Sequence, residues 1–101
     1  MRIAFLLVRH PAARRSPIMP EVVRLLADWH CEVTMLEPDE RPVDPAAVRV
    51  RHDLYVLKSG TELALSLAGV LHAQGARIVN PFPGSLACRD KVITTALLQA
   101  A

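Results

Sequence analysis

Aromatic residues are scarce in this chain, with one Trp, one Tyr and two Phe among 101 residues. A core short of rings has to be built from Leu, Val, Ile and Ala, the usual filling of strands covered by helices on both faces. The scarcity also leaves little on which nucleobases would stack, and a formal net charge of only +2 supplies no basic stripe, which argues against a nucleic-acid module. Cysteine is equally sparse. Cys31 and Cys88 match neither C-x-x-C nor zinc-ligand spacing, and such a pair in a core-forming domain reads as reduced, buried thiols of a cytosolic protein. No apolar stretch approaches the roughly 20 residues of a membrane span. The opening apolar run is shorter than the about 7 to 15 residues of a signal-peptide core, and basic residues follow it where a cleavage site would stand. A cytoplasmic protein without membrane segments is expected.

The length fits one domain, residues 1–101, large enough to bury roughly 60 to 70% of the surface its unfolded chain exposes. Short and long apolar patterns alternate along it. RIAFLLV, residues 2–8, is a continuous apolar run of strand length, expected to be a central strand. Ile18, Val22, Leu25, Leu26 and Trp29 then recur at helical spacing, predicting a helix over about 18–30 that begins near Pro17 or Pro20. EVTML, residues 32–36, is a second strand. The proline-rich EPDERPVDPAAVRVRH reads as an irregular connection with at most one helical turn near Pro45 to Val48.

DLYVLK, residues 53–58, is a third strand. Ser59 with Glu62 three residues on has the form of a capping box, opening a helix whose buried face would be Leu63, Leu67, Val70 and Leu71 and whose end is Gly75. ARIVN, residues 76–80, is the fourth strand and PFPGS reads as a turn. The last helix follows, with Asp90 as N-cap and Ile93, Ala96, Leu97 and Ala100 on one face.

Strands alternating with helices predict a three-layer α/β domain of Rossmann-like type, with a four-stranded parallel sheet of order 2-1-3-4. Ligands of such sheets bind outside the carboxyl ends of the strands. That selects Arg9 and His10 after the first strand, Glu37 after the second, Lys58, Ser59, Gly60 and Thr61 after the third, and the segment from Asn80 to Ser85 after the fourth. The nucleotide signatures of the architecture are missing: RHPAAR stands where a dinucleotide fold places G-x-G-x-x-G, and no P-loop occurs. Basic residues also occupy the positions where a phospho-accepting receiver domain needs acids. Arg9, His10, Arg14 and Arg15 form either an anion-binding loop or a solvated one. Ser59, Gly60 and Thr61 offer either amides to an anion or a helix cap. His30, His52 and His72 show no ligand spacing and read as structural. Lys91 is set against the positive end of its helix dipole, which marks it as a functional candidate.

An Asn closing the fourth strand, then a short segment, then "DK" with its lysine eleven residues on and opening an apolar helix, resembles the N-terminal domain of ATP-grasp carboxylate-amine ligases, in particular the family of the ribosomal protein S6 glutamate ligase. The residues are Asn80, Asp90 and Lys91, and VLKSGTELALSLAGVLHAQGARIVNP before them is similar to the same region of that family. The resemblance implies a pre-ATP-grasp domain whose strand ends face substrate and whose lysine reaches the phosphates of ATP. The reaction would activate a carboxylate as an acyl-phosphate for attack by an amine, with Mg stabilising the transferring group. On this reading Lys91 contacts the cofactor, and Arg9, His10, Lys58, Ser59, Gly60, Thr61 and Asn80 face substrate. No residue of the chain is expected to be catalytic or to hold metal, so the domain would need C-terminal ATP-grasp domains in a longer chain. Relatives commonly carry a serine and a short helix after the asparagine, where this chain has Pro81, Phe82, Pro83 and Gly84. Two other readings remain: a stand-alone α/β binding or interaction module, and the N-terminal half of a glycosyltransferase.

Overall fold

The first strand, β1 (Arg2–Leu6), pairs in parallel with β2 (Glu32–Leu36) on one side and β3 (Leu54–Leu57) on the other. β4 (Ile78–Val79) adds beyond β3, giving one parallel sheet of order β2-β1-β3-β4. This is a computed structural model that describes residues 1–9, 17–41 and 43–101. β1 is paired along both edges and covered on both faces, and Ile3, Ala4, Phe5 and Leu6 are all buried. The continuous apolar run thus reflects two buried faces. The register sorts them: Ala4 lies beside Tyr55 and Leu6 beside Leu57, and these four side chains belong to the core cluster beneath α2 (Glu62–Ala73). Ile3 and Phe5 alternate to the opposite face. α1 (Ile18–Asp28) packs beside β2.

Two helices bury faces that overlap those expected but are rotated from them. In α1 the half-buried stripe is Met19, Val22, Val23 and Leu26, while Ile18, Leu25 and Trp29 are exposed, Trp29 by 70%. Both stripes have helical spacing, and only contact with the sheet distinguishes them. In α2 the buried residues are Ala64, Leu65, Ala68 and Leu71; Leu67 and Val70 are half-buried and Leu63 is exposed. The small side chains of Ala64 and Ala68 let the helix approach the sheet closely enough to exclude water. Full burial of Leu65 and Leu71 is worth about 1.5–3 kcal/mol each. Gly75 follows α2 with φ +85, the left-handed cap that its lack of a Cβ permits.

The connection from β2 to β3 carries a 3-10 turn, Pro45–Ala47, started by Asp44 Oδ1 accepting from Ala46 N at 3.0 Å. Among the described residues of this segment only Pro38 and Val48 are buried. β2 has the bounds expected, while β1, β3 and β4 are shorter than the runs predicted for them. The thiols of Cys31 and Cys88 are free, Cys31 half-buried and Cys88 exposed, so neither is the buried thiol expected. Among the described residues no helix is long and apolar enough to cross a membrane.

Candidate functional site at the carboxyl ends of β3 and β4

Asn80 ends β4 in the left-handed region, with φ 59, which Asn tolerates better than most side chains. Its Nδ2 donates to the Leu57 carbonyl at 2.8 Å, tying the end of β4 to the end of β3. Its own carbonyl accepts from Ser85 Oγ at 3.1 Å. From here the chain enters α3 (Phe82–Arg89), so the predicted PFPGS turn is instead the start of a helix. Pro81 is the N-cap and Pro83 lies in the first turn, where the missing N–H breaks no helical hydrogen bond. Phe82 anchors the new helix by packing its ring over Gly69 of α2.

The opening of α2 also differs from the expected capping box. Thr61 is the N-cap, its Oγ1 accepting from Ala64 N at 3.3 Å. Glu62 is then the first helical residue, two positions before the one from which the acid of a box reaches back. Ser59 supports the cap rather than forming it: Ser59 Oγ accepts from Thr61 N and donates to Thr61 Oγ1, both at 3.2 Å. Thr61 Oγ1 in turn donates to Asp39 Oδ2 at 2.8 Å, so a carboxylate of the β2–β3 connection already faces this helix start.

Together these elements enclose a cleft of about 560 Å³ lined by Leu57, Ser59, Gly60, Asn80, Ser85 and Arg89, among others. Arg89 closes one side, donating from Nε to the Gly60 carbonyl at 2.8 Å and lying 3.9 Å from Glu62 Oε1. Three of the predicted residues, Ser59, Gly60 and Asn80, therefore meet in one cleft, and Thr61 adjoins it through Ser59. Lys58 is exposed just past β3, its N–H bonded to the Leu6 carbonyl at 2.9 Å. Arg9 is exposed past β1, and Glu37, half-buried, follows β2. His10, Arg14 and Arg15 lie outside the described residues.

Lys91 opens α4 (Lys91–Ala100) directly after α3, with Asp90 alone between the two helices. The extended backbone of Asp90, φ −88 and ψ 115, breaks the helix, and its Oδ1 accepts from Val92 N at 2.9 Å and Ile93 N at 3.1 Å. The carboxylate offsets the positive helix end beside Lys91. Thr94 Oγ1 fixes the corner by donating to the carbonyls of Ala87 and Asp90, each at 2.9 Å. Lys91 is exposed and lines a shallow depression with Arg89, separate from the strand-end cleft except through that arginine.

Sequence reasoning missed Arg89 and Asp39, and included Ser85 only as the end of the segment selected after the fourth strand. Arg89 was legible as the first residue of "RDK", but its reach to Gly60 depends on α3 being helical. Among the described residues no group of three or more His, Cys, Asp or Glu side chains is placed to hold a metal ion. The fold and cleft define an α/β domain with a parallel four-stranded sheet and an open, largely apolar cleft at its carboxyl end, edged by Arg89. No protein-family profile and no curated protein matches the chain.

Proposed function

We propose that this is the substrate-side domain of an ATP-grasp ligase, which activates a carboxylate as an acyl-phosphate and joins it to an amine. The observation that carries the reading is the arrangement around Asp90. A short helix follows the asparagine at the end of β4, and a capped second helix then presents Lys91 at an exposed corner. This supplies the short helix that the prolines had called into question. α4 itself packs against α3 and leaves Val92, Leu97 and Leu98 uncovered, Val92 by 79% and Leu98 by 71%. Exposed apolar side chains on one helix suit a surface that another domain covers.

In this role Lys91 contacts ATP phosphates, aided by Arg89, and the cleft around Ser59, Gly60 and Asn80 borders the carboxylate or amine substrate. ATP-grasp domains supply the rest of the nucleotide site and the acids that hold Mg, so the domain alone does not catalyse. The test is Lys91→Ala in the ligase that carries those domains. Affinity for ATP and kcat/KM for ATP should each fall at least about tenfold, while Lys91→Arg retains most of both. Unchanged nucleotide affinity and turnover in Lys91→Ala removes the assigned role. A gene whose reading frame encodes no ATP-grasp domain, for a chain that associates with none, overturns the reading as a whole.

A further inference from the structure

A second cleft, of about 530 Å³, lies on the α2 side of the sheet under the β2–β3 connection and shares no residue with the strand-end cleft. Its origin is topological. The crossover from β2 to β3 is proline-rich, and its described residues form a turn at 38–40 and the Pro45–Ala47 3-10 turn but no α-helix over β2 and β1. Leu36, Tyr55, Leu67 and Leu71 supply an apolar lining beneath the connection. The polar lining is markedly one-sided: Arg41, Arg49, Arg51 and His52, against the single carboxylate of Glu37.

Among the described residues, no ion pair neutralises those guanidiniums. Ion pairs among the described residues engage Arg2, Arg24 and Arg89, none of which lines this cleft. Arg49 Nη1 donates to two neutral acceptors, the carbonyls of Ala46 at 3.0 Å and Val48 at 2.7 Å. The nearby acids Asp39 and Asp44 are engaged with Thr61 and Ala46. The polar groups at the amino end of β3 are satisfied by one another: Tyr55 Oη accepts from Arg51 N at 3.1 Å, and His52 Nε2 lies 3.2 Å from Thr34 Oγ1.

We propose that this cleft binds an amphipathic organic oxyanion, with an apolar body against Leu36, Tyr55, Leu67 and Leu71 and a carboxylate or phosphate head held by Arg41, Arg49 and Arg51. Guanidinium forks match both head groups, and the volume falls in the range of about 300–1,000 Å³ usual for small-molecule sites. The proposal stands independently of the ligase reading, because it uses no strand-end residue and no second domain.

The probe is 1-anilinonaphthalene-8-sulfonate, an amphipathic aryl anion whose fluorescence rises on leaving water, titrated into the 101-residue chain. Saturable binding at one site is expected, displaced by decanoate or decyl phosphate but not by decyltrimethylammonium; the tighter of the two anions identifies the head group. The double variant Arg41→Met/Arg51→Met, at two exposed positions, should weaken probe binding at least about tenfold with an unchanged circular dichroism spectrum. Ala47→Trp, at another exposed lining position, should block it. The proposal is overturned if the cationic detergent displaces the probe as well as the anions do, if neither anion displaces it, or if the folded arginine variant binds with unchanged affinity. Should that variant not fold, the competition series in the unmodified chain decides alone.

Discussion

Gly69→Ala sets two known effects against each other at one point of the α2–α3 contact. Replacing an interior helical glycine by alanine gains about 1 kcal/mol of helix propensity. Yet a Cβ at position 69 would stand 3.0 Å from Phe82 Cζ and 3.1 Å from Cε1. Carbon atoms rest at about 3.5–4.0 Å, so the ring would have to withdraw by about half an ångström. It has little room. Phe82 begins α3 between Pro81 and Pro83, whose φ angles are fixed, and its ring also lies against His72, with centroids 5.8 Å apart. Overpacking of this kind costs about 1–3 kcal/mol, which exceeds the propensity gain. A net loss of about 1 kcal/mol follows, read as a fall in Tm of about 4–8 °C by circular dichroism.

The same substitution in a Phe82→Leu background meets no ring edge, and there it should raise stability by up to about 1 kcal/mol. The coupling in the double-mutant cycle is then about 2 kcal/mol. If Gly69→Ala raises Tm in the unmodified chain, or if the cycle shows no coupling, the reasoning fails. The placement of α3, and with it the Arg89 side of the strand-end cleft, would then not depend on this contact.

Asn80→Ala should destabilise by about 2 kcal/mol, combining left-handed strain of about 1 with the lost bond to the Leu57 carbonyl, while Asn80→Gly relieves the strain and recovers about half; equal losses in the two variants by urea unfolding would refute this division. His52 has its pKa lowered, first by burial and then by Arg2, with Glu32 and Asp53 opposing. The folded chain therefore disfavours the imidazolium. Stability should be undiminished above the ordinary histidine pKa of about 6.5 and decline as pH falls below it towards the lowered folded value. Urea midpoints between about pH 7.5 and 5 should show this slope, and His52→Gln should flatten it; an identical slope in the variant would assign the effect elsewhere.

Strand order, the parallel pairing, the Gly75 cap and the Asp90 cap followed from the sequence alone, because each depends on patterns within a few residues or on the alternation of elements along the chain. The 3-10 turn at Pro45–Ala47 was legible for the same reason, since proline sets its own φ. Tertiary structure decided what several local patterns left open. Two stripes of α1 have helical spacing, and contact with the sheet selects Met19, Val22, Val23 and Leu26 over Ile18, Leu25 and Trp29. PFPGS has the composition of a turn, and the seat for Phe82 over Gly69, thirteen residues away, accompanies its use as a helix start. Ser59 and Thr61 are both able to cap a helix, and the bond from Thr61 to Asp39 joins the cap to a distant segment. The strand-end cleft was foreseen as a place, with Ser59, Gly60 and Asn80 as site residues and the segment from Asn80 to Ser85 along it. Its Arg89 side, and the cationic cleft under the β2–β3 connection, exist only because packing brings together segments that are remote in sequence.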